Sequence, residues 1–200
     1  MPVAAEEVVI AALGDSLTQG YGLVQEEGFV PQLEAWLQAR GHDVRLINAG
    51  VSGDTTAGGL ARAAWTLTDE VDGMIVTLGG NDLLRAIPPE ASRANLAGIL
   101  DAALDANVEV LLVGMQAPGN YGPDYQQAFD AMYPDLARQY GTLFAESFFE
   151  GLFGTPESDP GNVVDLMQAD GIHPNANGVA LIVDALGPQV EALISAVQAD

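Results

Sequence analysis

The sequence predicts an α/β fold, a three-layer α/β/α sandwich whose five-stranded parallel sheet is covered by helices on both faces. Three observations carry this. Short apolar runs rich in β-branched residues recur along the 200-residue chain, the mark of strands buried on both sides. They alternate with longer stretches of helical periodicity, the pattern of parallel strands joined by crossover helices. Three of the runs end abruptly in small polar loops: Gly14-Asp15-Ser16, Gly50-Val51-Ser52-Gly53-Asp54 and Gly79-Gly80-Asn81-Asp82. In a parallel sheet these loops emerge together on the carboxyl edge, where open α/β sheets bind ligands.

Residues 8–13 read as the first strand, six apolar residues stopped by Gly14. A helix follows over residues 29–40, where Val30, Leu33, Trp36 and Leu37 form an apolar stripe. Gly41 reads as its C-terminal cap, which makes His42 a solvated loop residue. Residues 44–48 are the second strand. A loop of small residues then leads into a helix from Thr55 to about residue 67, with Asp54 or Thr55 available as N-cap. The third strand covers residues 73–78. A long helix runs from Pro88-Pro89 to about residue 106, and the fourth strand spans 108–113. Residues 124–140 form another helix, and a fifth strand is expected near 143–148. Residues 151–165, rich in Pro and Gly, read as loop, and the irregular stretch continues over 170–175. The last helix starts near Ala176 and should break at Gly187-Pro188, because proline lacks the helical N–H and its ring crowds the preceding turn. The whole chain, residues 1–200, reads as one domain without repeats or low-complexity segments.

Composition excludes several chemistries. With no Cys, the chain has no disulfide, thiolate nucleophile or Cys-based zinc site. With no Lys, it has no P-loop, Schiff base or Ser-Lys dyad, and no H-E-x-x-H motif occurs. The 28 acidic residues against six Arg give a net charge of −22. Such a surface repels nucleic acid and anionic membranes, so neither is an expected partner. No run reads as long enough to span a bilayer. No signal-type segment precedes the first strand, which fits a cytoplasmic protein or one exported and processed.

Ser16, stranded at the end of an apolar strand, is a candidate nucleophile. Of the two histidines, His173 is the better general base, because Asp170 lies three residues before it and can fix its tautomer. Taken singly, Asp170-Gly171 and Pro174-Asn175 are turn formers around a surface histidine. Acyl transfer also needs donors aimed at the developing oxyanion. The backbone N–H groups of Ser16 and Gly53 and the side chain of Asn81 are the candidates, although Gly53 alone is an ordinary turn glycine and Asn81 or Asp82 an ordinary cap.

In order along the chain, Gly14-Asp15-Ser16-Leu17, Gly53, Gly80-Asn81-Asp82 and Asp170-Gly171-Ile172-His173-Pro174 resemble the four blocks of the SGNH (GDSL) hydrolase family. The resemblance spans nearly the whole chain. Within the family it is similar to the small bacterial thioesterase I/lysophospholipase L1-like arylesterases, through residues 48–55, Gly79 to Asp82 with Leu84-Arg85, and Met115-Gln116 leading to Asn120-Tyr121-Gly122. It implies a flavodoxin-like five-stranded fold, a triad of Ser16, Asp170 and His173, an oxyanion hole of Ser16, Gly53 and Asn81, and neither metal nor organic cofactor. The segment between Gln116 and Asn120 is shorter than in thioesterase I.

The expected function is a serine esterase or thioesterase acting on acyl esters, thioesters or lysophospholipids through an acyl-enzyme, as a monomer. Asp15, Leu83, Tyr121 and Ile172 are candidate substrate-binding residues. Asp15 reads first as holding its own loop together rather than doing acid–base work, and Tyr121 is equally suited to packing on the surface. A carbohydrate acetylesterase is the rival within the superfamily, and a non-catalytic flavodoxin-like binding module the rival from another class. The resemblance favours a periplasmic or secreted location.

Overall fold

The β-branched apolar runs form strands wherever a partner strand lies beside them. The computed structural model describes residues 7–153 and 163–199. Strands β1 (Val8–Gly14), β2 (Val44–Gly50), β3 (Gly73–Thr77), β4 (Glu109–Val113) and β5 (Leu143–Ala145) make one parallel sheet in the order β2-β1-β3-β4-β5. All seven residues of β1 are buried, as a central strand covered on both faces requires. The chain reverses its direction across the sheet at β1. That reversal opens a crevice at the carboxyl ends of β1 and β3. Gly14 there lies level with Gly50 on one side and Thr77 on the other, so the loops that follow β1, β2 and β3 start together.

Helices α2 (Phe29–Ala39) and α8 (Ala176–Val197) pack together on one face. On the other lie α3 (Thr56–Thr66), α5 (Pro89–Asp105) and α6 (Pro123–Tyr140). Fully buried Ile10, Leu13, Leu33, Leu37, Met74 and Ile75 join the sheet to these layers, each side chain contributing about 1.5–3 kcal/mol by leaving water. Three helices are single turns: α1 (Ser16–Gln19), α4 (Gly80–Leu84) and α7 (Glu150–Phe153). The first two occupy stretches whose sequence reads as loop.

Four expectations need correction. The last helix does not break at Gly187-Pro188, for α8 runs unbroken through both. Proline removes one N–H, whereas the buried stripe of Val183, Leu186, Val190, Leu193 and Ile194 holds the turns on either side of it against the core. By length and composition α8 could cross a bilayer, so a run of that kind does exist. Its most apolar window is 44% buried within the fold, and Asp184 accepts a hydrogen bond from the Trp36 indole at 2.8 Å, as suits a core helix. Strand β5 stops at Ala145, although Phe148 N–H still reaches Gly114 O at 3.0 Å. His42 is half-buried, with Nε2 2.9 Å from Glu191 of α8. Most of the loop expected over 151–165 lies outside the described residues.

Strand β2 is an edge, and three of its outward backbone groups are met by side chains. Gln38 Nε2 donates to Val44 O (3.1 Å), Leu46 N–H donates to Glu34 Oε2 (2.6 Å) and Gly50 N–H donates to Asn48 Oδ1 (3.0 Å).

Candidate active site

Ser16 is the first residue of α1, immediately past β1. Asp15 caps that turn, with Oδ1 accepting Leu17 N–H at 3.0 Å. The Ser16 hydroxyl lies 2.8 Å from His173 Nε2, although 157 positions separate them in sequence. His173 comes from the irregular stretch before α8. One oxygen of Asp170 accepts the N–H groups of Ile172 (2.9 Å) and His173 (3.0 Å), which turns the other oxygen onto His173 Nδ1 at 2.7 Å. The Asp-Gly-Ile-His spacing thus makes a turn that delivers a carboxylate to its own histidine. Gln168 straps the turn in place. Its N–H donates to His173 O (2.7 Å), and its amide donates to Tyr21 O (2.8 Å) and Pro174 O (3.0 Å). The Tyr21 ring lies 4.7 Å from the imidazole, centroid to centroid.

Hydrogen-bond donors converge opposite the histidine. Asn81 in α4 donates one amide hydrogen to Asp15 Oδ2 at 3.0 Å, leaving its second for the cleft. Gly53 sits in an exposed turn with φ of +84°, a conformation that favours glycine, and Arg85 donates to its carbonyl at 2.8 Å. Among the described residues, neither the Gly53 nor the Ser16 N–H has a protein acceptor. Gly79, two residues past β3 at the start of α4, has φ of +122°, and a Cβ there would overlap the Tyr133 hydroxyl that donates to Leu78 O. Asp82 is fully buried and accepts from Thr56 N–H (2.8 Å), Thr56 O–H (2.6 Å) and Ser92 O–H (2.8 Å). It meets the first N–H of α3 and ties that helix to α5 through the Ser92 hydroxyl, rather than capping its own turn.

The electrostatics of the two carboxylates diverge. The His173 hydrogen bond, helped by two backbone N–H groups, holds Asp170 down at about 2. Burial pushes the Asp15 carboxyl up, against the opposing pull of Leu17 N–H and Asn81. Among the described residues no group of three or more His, Asp or Glu is placed to hold a metal ion.

These groups open on a cleft of about 460 Å³. Of the residues singled out from sequence, Ser16, Gly53, Asn81, His173, Leu83 and Ile172 line it, with Asp15 at its floor and only 2% exposed. Asp170 stands behind the imidazole. Tyr121 lies outside the lining, its ring 5.1 Å from that of Tyr125, whose hydroxyl donates to Ile87 O. Sequence reasoning missed Tyr21, Phe149 and Phe153, which complete the apolar wall. Phe149 had a readable signal, since it closely follows the fifth strand on the carboxyl edge. Tyr21 and Phe153 had none.

A nucleophile, a base with its orienting carboxylate and three donors beside an apolar cleft can perform acyl transfer. Residues 12–181 match the model of the GDSL-like Lipase/Acylhydrolase family. The chain is similar to esterase TesA of Pseudomonas aeruginosa, 38% identical over 186 residues that cover 92% of this chain and 89% of that protein. It is similar also to thioesterase 1/protease 1/lysophospholipase L1 of Escherichia coli K12, 34% identical over 96% of this chain and 88% of that one. The crystal structure of AlinE4, an SGNH-hydrolase family esterase, superposes with a TM-score of 0.76 at 43% identity, covering 95% of this chain and 98% of AlinE4.

Proposed function

This chain belongs to the GDSL-like Lipase/Acylhydrolase family, and we propose that it hydrolyses acyl esters and thioesters through an acyl-enzyme formed on Ser16. Esterase and thioesterase are activities its relatives carry by name. The observation that carries the residue assignment is the unbroken line from Ser16 Oγ to His173 Nε2 at 2.8 Å and from His173 Nδ1 to Asp170 at 2.7 Å.

The steps follow from that line. As Ser16 Oγ attacks the carbonyl carbon, His173 Nε2 takes its proton, and the ionised Asp170 stabilises the imidazolium. Negative charge gathers on the former carbonyl oxygen, where the N–H groups of Ser16 and Gly53 and the amide of Asn81 receive it. Collapse breaks the bond to the alcohol or thiol, which leaves with the proton from His173. Water then attacks the acyl-serine, with His173 as base, and releases the acid.

The apolar wall of Leu83, Phe149, Phe153 and Ile172 suits an uncharged acyl or aryl group and offers no basic side chain to a carboxylate or phosphate. It fits a hydrocarbon better than a sugar, which favours this reading over a carbohydrate acetylesterase. A pure binding module has no use for a serine–histidine–aspartate line. One domain acting as a monomer, with neither nucleic acid nor membrane as partner, completes the proposal, and the charge of −22 supports it.

Ser16→Ala should lower kcat on p-nitrophenyl esters by about 10⁴-fold or more, leave the melting temperature in place and abolish labelling by a fluorophosphonate. Retained turnover in that variant would move the nucleophile elsewhere.

A further inference from the structure

The Gly53 turn is exposed; Asp54 N–H to Val51 O (3.1 Å) and Arg85 on the Gly53 carbonyl (2.8 Å) shape it locally, but its separation from the Ser16 loop has to be set from outside the turn. We propose that Arg62 is the positioning residue that does this, a guanidinium fixing the separation between the Ser16 and Gly53 loops. The proposal rests on the acyl-enzyme reading above.

Arg62 projects from α3 beneath the carboxyl edge of the sheet. Its Nη2 donates to Gly14 O (2.8 Å), its Nη1 to Ala49 O (2.5 Å) and its Nε to Asp54 Oδ2 (2.7 Å). Those acceptors belong to three segments: the end of β1 two residues before Ser16, the end of β2, and the turn immediately after Gly53. The β1–β2 ladder ends at Gly14 and Gly50 with one further backbone bond, Val51 N–H to Gly14 O (3.0 Å). Past it the two loops share no backbone hydrogen bond among the described residues, and the exposed Ser52 hydroxyl on Gln19 Oε1 (2.9 Å) is a side-chain link. The guanidinium carries the tie onward. Among the described residues it is the one arginine that bonds the backbone carbonyls of two strands, and its side chain is 23% exposed. Arg45, by contrast, bonds only surface carboxylates.

Three acceptors in three directions call for a planar fork with several donors. A lysine ammonium at the same place is a compact point charge on a flexible stem and cannot reproduce the fork. The Ser16 and Gly53 N–H groups act on charge that develops in the transition state, whereas the acyl group rests on the apolar wall. A looser separation between the loops therefore reaches kcat before KM.

The test compares wild type, R62K, R62A and S16A on p-nitrophenyl butyrate, with R45A as a surface control. It also measures melting temperatures and the affinity of an alkyl boronic acid, which becomes tetrahedral on the serine. R62A should lose about 10²-fold in kcat, the scale of a misplacement of about 1 Å, with KM within about threefold. R62K should fold with the circular dichroism of wild type, lose about tenfold in kcat and weaken the boronate in parallel. R62K with wild-type kcat, or a loss confined to KM, overturns the proposal. R62K decides alone if R62A does not fold. Wild-type activity in S16A would instead overturn the acyl-enzyme reading itself.

Discussion

The two halves of the cleft are built differently. On the sheet side, Ser16, Gly53 and Asn81 stand on strand ends and short helical turns tied to buried groups: Asp15 at 2% exposure, Asp82 at none, Arg62 beneath. On the other side, Asp170 and Ile172 are exposed, and His173 rides a turn held by Gln168 and Tyr21. Asn81 and the Ser16 turn thus rest on the buried, hydrogen-bonding Asp15 carboxylate, whereas His173 is strapped on from outside. His173 can be deleted without disturbing the fold, whereas the buried carboxylate of Asp82 beneath the sheet side cannot.

The largest expected effect tests that separation directly. His173→Ala should cost about 10⁴-fold in kcat while the melting temperature stays within experimental scatter. A clear loss of stability would mean that the loop side also supports the core. On the sheet side, Asp82→Ala leaves Thr56 and Ser92 without their buried acceptor and should destabilise by about 2–4 kcal/mol. Denaturant unfolding measures it, and a variant as stable as wild type would break the contrast.

The smallest effect is in pH. Asp170 is held at about 2, below the ordinary carboxyl value of 3.8. Its support of the histidine turn is therefore complete above the ordinary value and is lost as pH falls through the depressed one. Asp170 should consequently add no proton to the acid limb of kcat/KM above about pH 3. A limb of slope two above that pH would place Asp170 elsewhere than in partnership with His173.

Most of the sheet was legible because its signal is local: β-branched runs, each cut by glycine. The convergence of the three polar loops was also legible, since parallel strands leave no other edge for them. What escaped depends on contacts between distant segments. Arg62 looks like any helix arginine until Gly14 and Ala49 come within its reach. Asp82 reads as a cap for its own turn, but its three donors sit on α3 and α5. Pro188 reads as a helix end because proline weakens its own turn, and only packing against α2 and the sheet outweighs that. The wall residues Tyr21 and Phe153 carry no motif, since apolar side chains near a cleft are distinguished only by where the chain puts them.

The side chains along β2 have a consequence for encounters between molecules. An open sheet edge offers a row of hydrogen-bond groups to any passing strand, the usual first step of aggregation. Here Gln38, Glu34 and Asn48 already occupy three of those groups, one of them with a carboxylate. An incoming strand would have to evict these partners and bury a negative charge. On that side the sheet is finished where it stops.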